Sequence, residues 1–254
     1  MNRCILQKNL YLSGMDDHAA DFARQLGLGL EITRFSWAVM LDHPKTAMSV
    51  RQEMREIQRF WLHAPFAEMS PCAVDPLVRQ VTAKRYRQTI RTAQNLKISQ
   101  LVIHSGFIPA TYYPEWFTEQ SIAFWREFLE SAPPDMTIAL ENVMDPDPTA
   151  IVEIIQQVND PRLQLCLDIG HANHYGSKLP IQDWITAMAP HLAHVHLHNN
   201  FGNWDSHNAL DHGTIDMASI LDALLELCPR STFTIENQDC TPSLNWLQKE
   251  GYLT

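Results

Sequence analysis

Cysteine is scarce and unpatterned in this chain. The five residues Cys4, Cys72, Cys166, Cys228 and Cys240 are odd in number and include no C-x-x-C spacing, which excludes a disulfide framework and fits a reduced, intracellular compartment. Basic residues are also in deficit. Against 29 Asp and Glu stand 19 Lys and Arg, a formal net charge of −10, so a nucleic-acid partner held through its phosphates is not expected. Arg79, Lys84, Arg85, Arg87 and Arg91 share one segment but are spread around an expected helix, and read as a solvated face. No apolar run is long enough to cross a bilayer and no basic-then-apolar leader opens the chain, so the expectation is a soluble cytoplasmic protein with no membrane partner. Linker-like and low-complexity stretches are missing, as is any repeat of fixed length, which predicts one domain over residues 1–254. An oligomer is compatible with all of this.

What is present is a regular alternation. Short apolar runs fall at Cys4–Leu6, Leu28–Ile32, Phe60–His63, Leu101–His104, Thr137–Glu141, Gln164–Asp168, Ala193–Leu197 and Thr232–Glu236. Helical stretches lie between them, notably Asp75–Leu96, Pro114–Ser131, Pro148–Val158, Pro180–Met188 and Met217–Leu227, several with proline at or near a first turn. Strands separated by helices require a parallel sheet, and eight such units predict closure into a (β/α)8 TIM barrel.

Most of the strands end on a side chain able to bind a metal. "RFWLH" ends at His63, "LVIH" at His104, "TIALE" at Glu141 and "LQLCLD" at Asp168, with His171 three residues on; the seventh strand carries His196 and "TFTIE" ends at Glu236. A barrel gathers the C-terminal ends of its strands on one face, where active sites of this architecture lie. Imidazoles and carboxylates gathered there suit Zn, Mn or Co as a divalent metal cofactor. Glu141 and Glu236 both follow apolar runs and both precede Asn; two such carboxylates across a barrel mouth would repel unless a cation lay between them.

The stretch "HVHLHNNFGNWDSH", His194 to His207, concentrates histidine further. Residues 194, 196 and 198 alternate on a strand and face one way, with His194 deepest and hydrogen-bonded inside the barrel, and His198 nearest the rim, where it could touch a substrate. Phe66, Phe107, Tyr112, Tyr113, Trp116 and Trp204 are candidates to wall a sugar pocket or to cap the barrel, whereas Trp37, Trp61 and Trp125 are expected in the core.

The strings "HAPF", "LVIHSGF", "ALENV", "CLDIGHAN", "HVHLHNNFGNWDSHNALDHGTID" and "TIENQ" resemble the xylose isomerase-like barrels, a superfamily of sugar phosphate isomerases and epimerases that also contains the endonuclease IV type of DNA repair enzyme. The resemblance runs over nearly the whole chain, with the motifs in the family's order. It implies one divalent metal held by Glu141, Asp168, His196 and Glu236, as in the ketose epimerases. It implies further ligands of the endonuclease IV type: His63 and His104 sharing Glu141, and His171, Asp205 and His207, for one to three ions per chain. After "DSH" the family has a Leu-Gly-Glu-Gly turn; here Asp211 and His212 replace Gly and Glu, leaving Gly213 as the permissive position.

Three functions are compatible with this site. The first is a metal-dependent sugar or sugar-phosphate isomerase or epimerase, in which Glu141 and Glu236 act on opposite faces of the substrate as acid and base, with His171 and His104 as candidates to orient its hydroxyls. The second is a multinuclear zinc hydrolase of phosphodiesters or phosphate esters, of the endonuclease IV type. The third is a metal-binding barrel without catalysis.

Overall fold

Eight parallel strands close into a barrel in sequence order, β1 pairing with both β2 and β8. A computed structural model describes residue 3, residues 5–175 and residues 179–254. The strands are β1 Leu10–Ser13, β2 Gly29–Ile32, β3 Phe60–His63, β4 Gln100–His104, β5 Thr137–Glu141, β6 Leu163–Asp168, β7 Leu192–Leu197 and β8 Thr232–Ile235. Parallel neighbours need a long crossover, and the helices between strands supply it.

Seven strands fall within a residue of the runs expected for them. The first does not. Ile5–Asn9 is a short helix and β1 is "LYLS", while Cys4 lies outside the described residues. The register explains the shift: Tyr11 pairs with Gly29 on one side and Thr234 on the other, which only the later segment can do with Tyr11 turned inward and Leu10 and Leu12 buried outward.

The expected helices are observed at Pro76–Leu96, Pro114–Glu130, Thr149–Val158, Ile181–Met188 and Met217–Leu227. The first of these starts where Asp75 accepts a hydrogen bond from the Leu77 backbone N–H at 2.8 Å and Pro76 occupies the first turn, which needs no N–H partner. On it, Lys84 and Arg91 are exposed, but three of the five cations are engaged. Arg85 pairs with Asp42 at 2.8 Å, Arg79 donates to the Val74 carbonyl at 3.1 Å, and Arg87 lies over the Phe128 ring at 5.6 Å.

Apolar residues form two bodies. A continuous core lies between the barrel wall and the helices, and each fully buried Leu or Ile there contributes roughly 1.5–3 kcal/mol. A small inner cluster of Tyr11, Trp61, Val102, Ala139 and Cys166 plugs the lower barrel. Cys72, Cys166, Cys228 and Cys240 are free and buried. Among the described residues no helix is long and apolar enough to cross a membrane.

Candidate metal centre and active site

Strand alternation places the site one step above the inner apolar cluster. Two residues beyond Trp61, Ala139 and Cys166 come His63, Glu141 and Asp168, on the same inward face. Parallel register sets His104 beside Glu141 and Asp168 beside His196, while Glu236 follows directly on β8.

The nine residues named from the sequence converge in three adjoining groups. Donor atoms of Glu141, Asp168, His196 and Glu236 all lie within 4.8 Å of one another. His196 Nδ1 is 3.2 Å from Glu141 Oε1, 3.3 Å from Glu236 Oε2 and 3.7 Å from Asp168 Oδ2. In the second group, His63 Nε2 and His104 Nε2 stand 3.4 and 3.3 Å from Glu141 Oε2, a buried oxygen with no hydrogen-bond partner. In the third, His171 Nε2 and His207 Nε2 each lie 3.2 Å from Asp205 Oδ2, and the buried Asp205 Oδ1 is likewise unpartnered.

Backbone carbonyls set the imidazoles. Nδ1–H of His63 donates to Ala64 O at 2.8 Å, that of His171 to Asn142 O at 3.0 Å and that of His207 to Glu236 O at 3.0 Å. Each bond turns Nε2 into the site towards a carboxylate oxygen, and the neutral ring so held presents its Nε2 electron pair there, the tautomer a metal ligand needs. Buried carboxylates with unpartnered oxygens, surrounded by imidazole nitrogens of this tautomer, fit a divalent cation of the Zn, Mn or Co kind.

The asparagines that follow the two glutamates stitch the mouth together. Asn142 donates to Asp168 O at 3.0 Å and accepts from Asp168 N–H at 2.8 Å, locking β5 to β6. Asn237 donates to His207 O at 3.0 Å and Asn208 O at 2.8 Å, holding the loop that carries Asp205 and His207. Asp168 also caps the helix Ile169–His174, accepting from the His171 backbone N–H at 2.7 Å. That loop is pinned again at Gly213, though not through an unusual backbone angle. A Cβ there would fall 2.0 Å from Asn199 Oδ1, whose amide donates to Leu210 O and Ile215 O. Asp211 and His212 are exposed on its outer side.

Charge in the site is strongly coupled. Burial opposes ionisation of Glu141, Asp168 and Glu236, yet the facing histidines outweigh it and hold all three below the usual carboxylate range. Burial drives His104 down to about 4. His207 goes the other way, up to about 9, because Asp205 and Glu236 overcome its burial. Asp145, buried nearby, is pushed up by desolvation to about 6, although Ser105 Oγ donates to it at 2.7 Å and the charge of His171 opposes the rise.

Above the donors opens a cavity of about 810 Å³ walled in part by Phe66, Phe107, Tyr112 and Tyr175. Among the described residues lining it there is no Lys or Arg. Several aromatic assignments change. Trp37 is not in the core: it is 60% exposed, lines the cavity and packs against Phe66 with ring centroids 5.9 Å apart. Tyr113 (81% exposed) and Trp204 (72%) stand in solvent outside the wall, and Trp116 is tied to Cys72 O at 2.9 Å. Trp61 and Trp125 are buried as expected.

His198 is not at the rim. It is fully buried, with Nε2 3.0 Å from Asp168 Oδ1 and its ring stacked on His207 at 4.0 Å, because the loop bearing Asp205 and His207 folds over it. Gly170 makes room: a Cβ there would sit 1.9 Å from the His198 ring. His194 is deep and bonded to Thr232 Oγ1 at 2.7 Å. One residue not singled out from the sequence belongs to the same interior: Glu31, whose only local signal is an acid within the apolar run "LGLEI".

The Xylose isomerase-like TIM barrel family matches residues 20–250, and the chain belongs to that family. The uncharacterized protein MJ1311 of Methanocaldococcus jannaschii is 28% identical over 187 residues, 70% of this chain; those cover 64% of that protein, just under two thirds of its length. Among solved structures, a D-tagatose 3-epimerase-like protein superimposes with a TM-score of 0.80 at 22% identity, covering 96% of each chain. The TTHB071 protein from Thermus thermophilus, soaked with zinc chloride, superimposes with a TM-score of 0.74 at 24% identity over 95% of this chain and 97% of that one.

Proposed function

We propose that this chain is a divalent-metal-dependent sugar isomerase or epimerase, working from a single barrel domain. The observation that carries the proposal is the pair of buried carboxylates, Glu141 and Glu236, that converge on His196 Nδ1 at 3.2 and 3.3 Å beneath an open, partly aromatic cavity. A cation held by Glu141, Asp168, His196 and Glu236 would supply the positive charge that polarises a carbonyl and acidifies the adjoining C–H. The protein's own groups then handle the proton. One glutamate removes it from carbon and the electron pair moves to the carbonyl oxygen; the opposite glutamate, having taken a proton from water of the open cavity, delivers it to the other face of the same carbon as the electron pair returns. Both carboxylates are held ionised by the surrounding histidines, so either is ready to accept. His171, fixed between Asn142 O and Asp205, is placed to orient a substrate hydroxyl, and His104 to orient another. The wall formed by Trp37 and Phe66 suits the apolar face of a sugar ring. The name of the D-tagatose 3-epimerase-like neighbour agrees with this reading.

A second reading is favoured by one observation, the two further donor groups around Glu141 and Asp205. A chain holding three ions there would suit hydrolysis of a phosphate ester or phosphodiester. Against it stand the net charge of −10 and the absence of Lys and Arg among the described residues lining the cavity.

The deciding experiment incubates metal-loaded protein with ketose mixtures in deuterated water. Deuterium entering carbon next to the carbonyl is the expected result. No exchange, together with cleavage of an abasic-site duplex that is lost in Glu141→Gln, would establish the hydrolase; metal binding with neither activity would leave a non-catalytic barrel.

A further inference from the structure

Glu31 lies at the end of β2, fully buried, on the far side of His196 from the proposed ligands. Its two oxygens are used differently. Oε2 accepts from the Thr234 hydroxyl at 2.6 Å and faces His194 Nε2 at 3.1 Å. It also meets His196 Nε2 at 3.3 Å, while Oε1, without a hydrogen-bond partner of its own, lies 3.2 Å from the same nitrogen. The other nitrogen of the same ring, Nδ1, is the one aimed at Glu141, Asp168 and Glu236.

Glu31, His194 and His196 also form a close group of potential ligands on their own, but the surroundings argue against an ion there. One oxygen of Glu31 is already occupied, His194 is bonded through both nitrogens, and Trp61 stacks on the His194 ring at 4.2 Å, leaving no open coordination position. His196 would have to give up both its protons to serve two ions. The arrangement instead has the form of a carboxylate that holds the distal N–H of a metal-binding histidine.

We propose that Glu31 is a positioning residue for the metal centre. By accepting the Nε2–H of His196, it fixes the ring so that the Nδ1 electron pair faces Glu141, Asp168 and Glu236, and it raises the basicity of that nitrogen. Thr234 and His194 anchor the carboxylate from below and keep it from rotating away. The proposal rests on the metal-binding reading of the site but not on the reaction assigned to it.

The test is zinc affinity of the full chain, measured by competition with a chromophoric chelator, together with the visible spectrum of the cobalt-loaded protein. Glu31→Gln keeps the size of the side chain and removes its charge; Thr234→Val removes one anchor. Glu31→Gln should weaken binding of one ion by about 10–100-fold and alter the cobalt spectrum, with the other ions unaffected. Thr234→Val should weaken the same ion by about 2–5-fold. Circular dichroism showing the metal-free Glu31→Gln protein folded at the titration temperature separates this from a general loss of packing. Unchanged zinc affinity and an unchanged cobalt spectrum in Glu31→Gln would overturn the proposal. If that variant does not fold, Thr234→Val decides on the same two readouts, and unchanged values there overturn it equally. An unaltered chain that binds zinc, loses it on Glu31→Gln and yet exchanges no deuterium keeps the role of Glu31 and loses only the epimerase. An unaltered chain that binds no divalent ion loses both.

Discussion

The interior of this barrel has two layers, and β3 to β6 contribute to both, two residues apart. The lower one, with Tyr11, Trp61, Val102, Ala139 and Cys166, is apolar and close-packed. The upper one, with His63, His104, Glu141, Asp168, His196 and Glu236, is almost entirely ionisable and nearly as buried. Dry packing of apolar side chains stabilises the first without further partners. The second concentrates carboxylates where desolvation is severe, and only the interleaved imidazoles make it tolerable. Glu31, His194 and Thr234 form the seam, where the polar network of the mouth is anchored onto Trp61 below. A strand can thus serve stability and chemistry at once, the division falling at a single alternation step.

The contrast can be broken most severely at the mouth. Glu141→Gln or Glu236→Gln should lower the rate of solvent deuterium exchange by about 10²–10⁴-fold in a protein still folded at the assay temperature, although it melts below the unaltered chain, because the histidines that hold the carboxylate ionised lose their partner. A loss of fold in step with activity would show the mouth to be structural after all. In the lower layer the opposite is expected. Trp61→Ala should cost about 3–5 kcal/mol in urea unfolding, with the number of bound zinc ions unchanged.

Asp145 sharpens the comparison, being a buried carboxylate just outside the cluster with no histidine bonded to it. Its folded pKa of about 6 lies above the ordinary 3.8. The unfolded chain therefore releases this proton more readily than the folded one. Stability linked to the group is fully present below the unfolded value and is lost as pH rises through about 6. At about 1.4 kcal/mol per unit, the ionised form costs on the order of 3 kcal/mol. Asp145→Asn still accepts from Ser105 and the Val143 N–H, so it should be more stable than the unaltered protein by up to about that amount above pH 6, the gap closing towards pH 4. Urea midpoints across this range check it; a gap independent of pH would contradict it. The smallest effect belongs to Trp204→Ala. That side chain stands in solvent outside the wall, and its loss should change stability by less than about 0.5 kcal/mol and leave exchange kinetics unaltered.

Much of the upper layer is legible in the chain itself. Strand ends such as "TIALE" and "LQLCLD" announce their inward ligands because alternation turns every second residue to the same face. The first strand is not, since "RCIL" and "LYLS" are equally short and apolar; only pairing of Tyr11 with Gly29 and Thr234 selects between them. Glu31 escapes for a related reason. Its partners His194 and His196 stand 163 and 165 residues further along the chain, so an acid in "LGLEI" acquires meaning only when β2 and β7 face each other across the closed barrel. Alternation misplaces His198 because it carries no information about the loop that covers that ring. Trp37 reads as core because an indole in an apolar context usually is, whereas its loop in fact lies at the cavity rim.

By itself, the sequence determined the alternation of strands and helices, the inward face of each strand and the chemistry of the residues ending them, because these depend on periodicity and side-chain type within a few neighbours. Tertiary structure alone decided which imidazole nitrogen faces which carboxylate, which aromatics wall the cavity and what stands behind His196. Those depend on barrel closure and on loops returning over the mouth, which bring together groups that share no local signal.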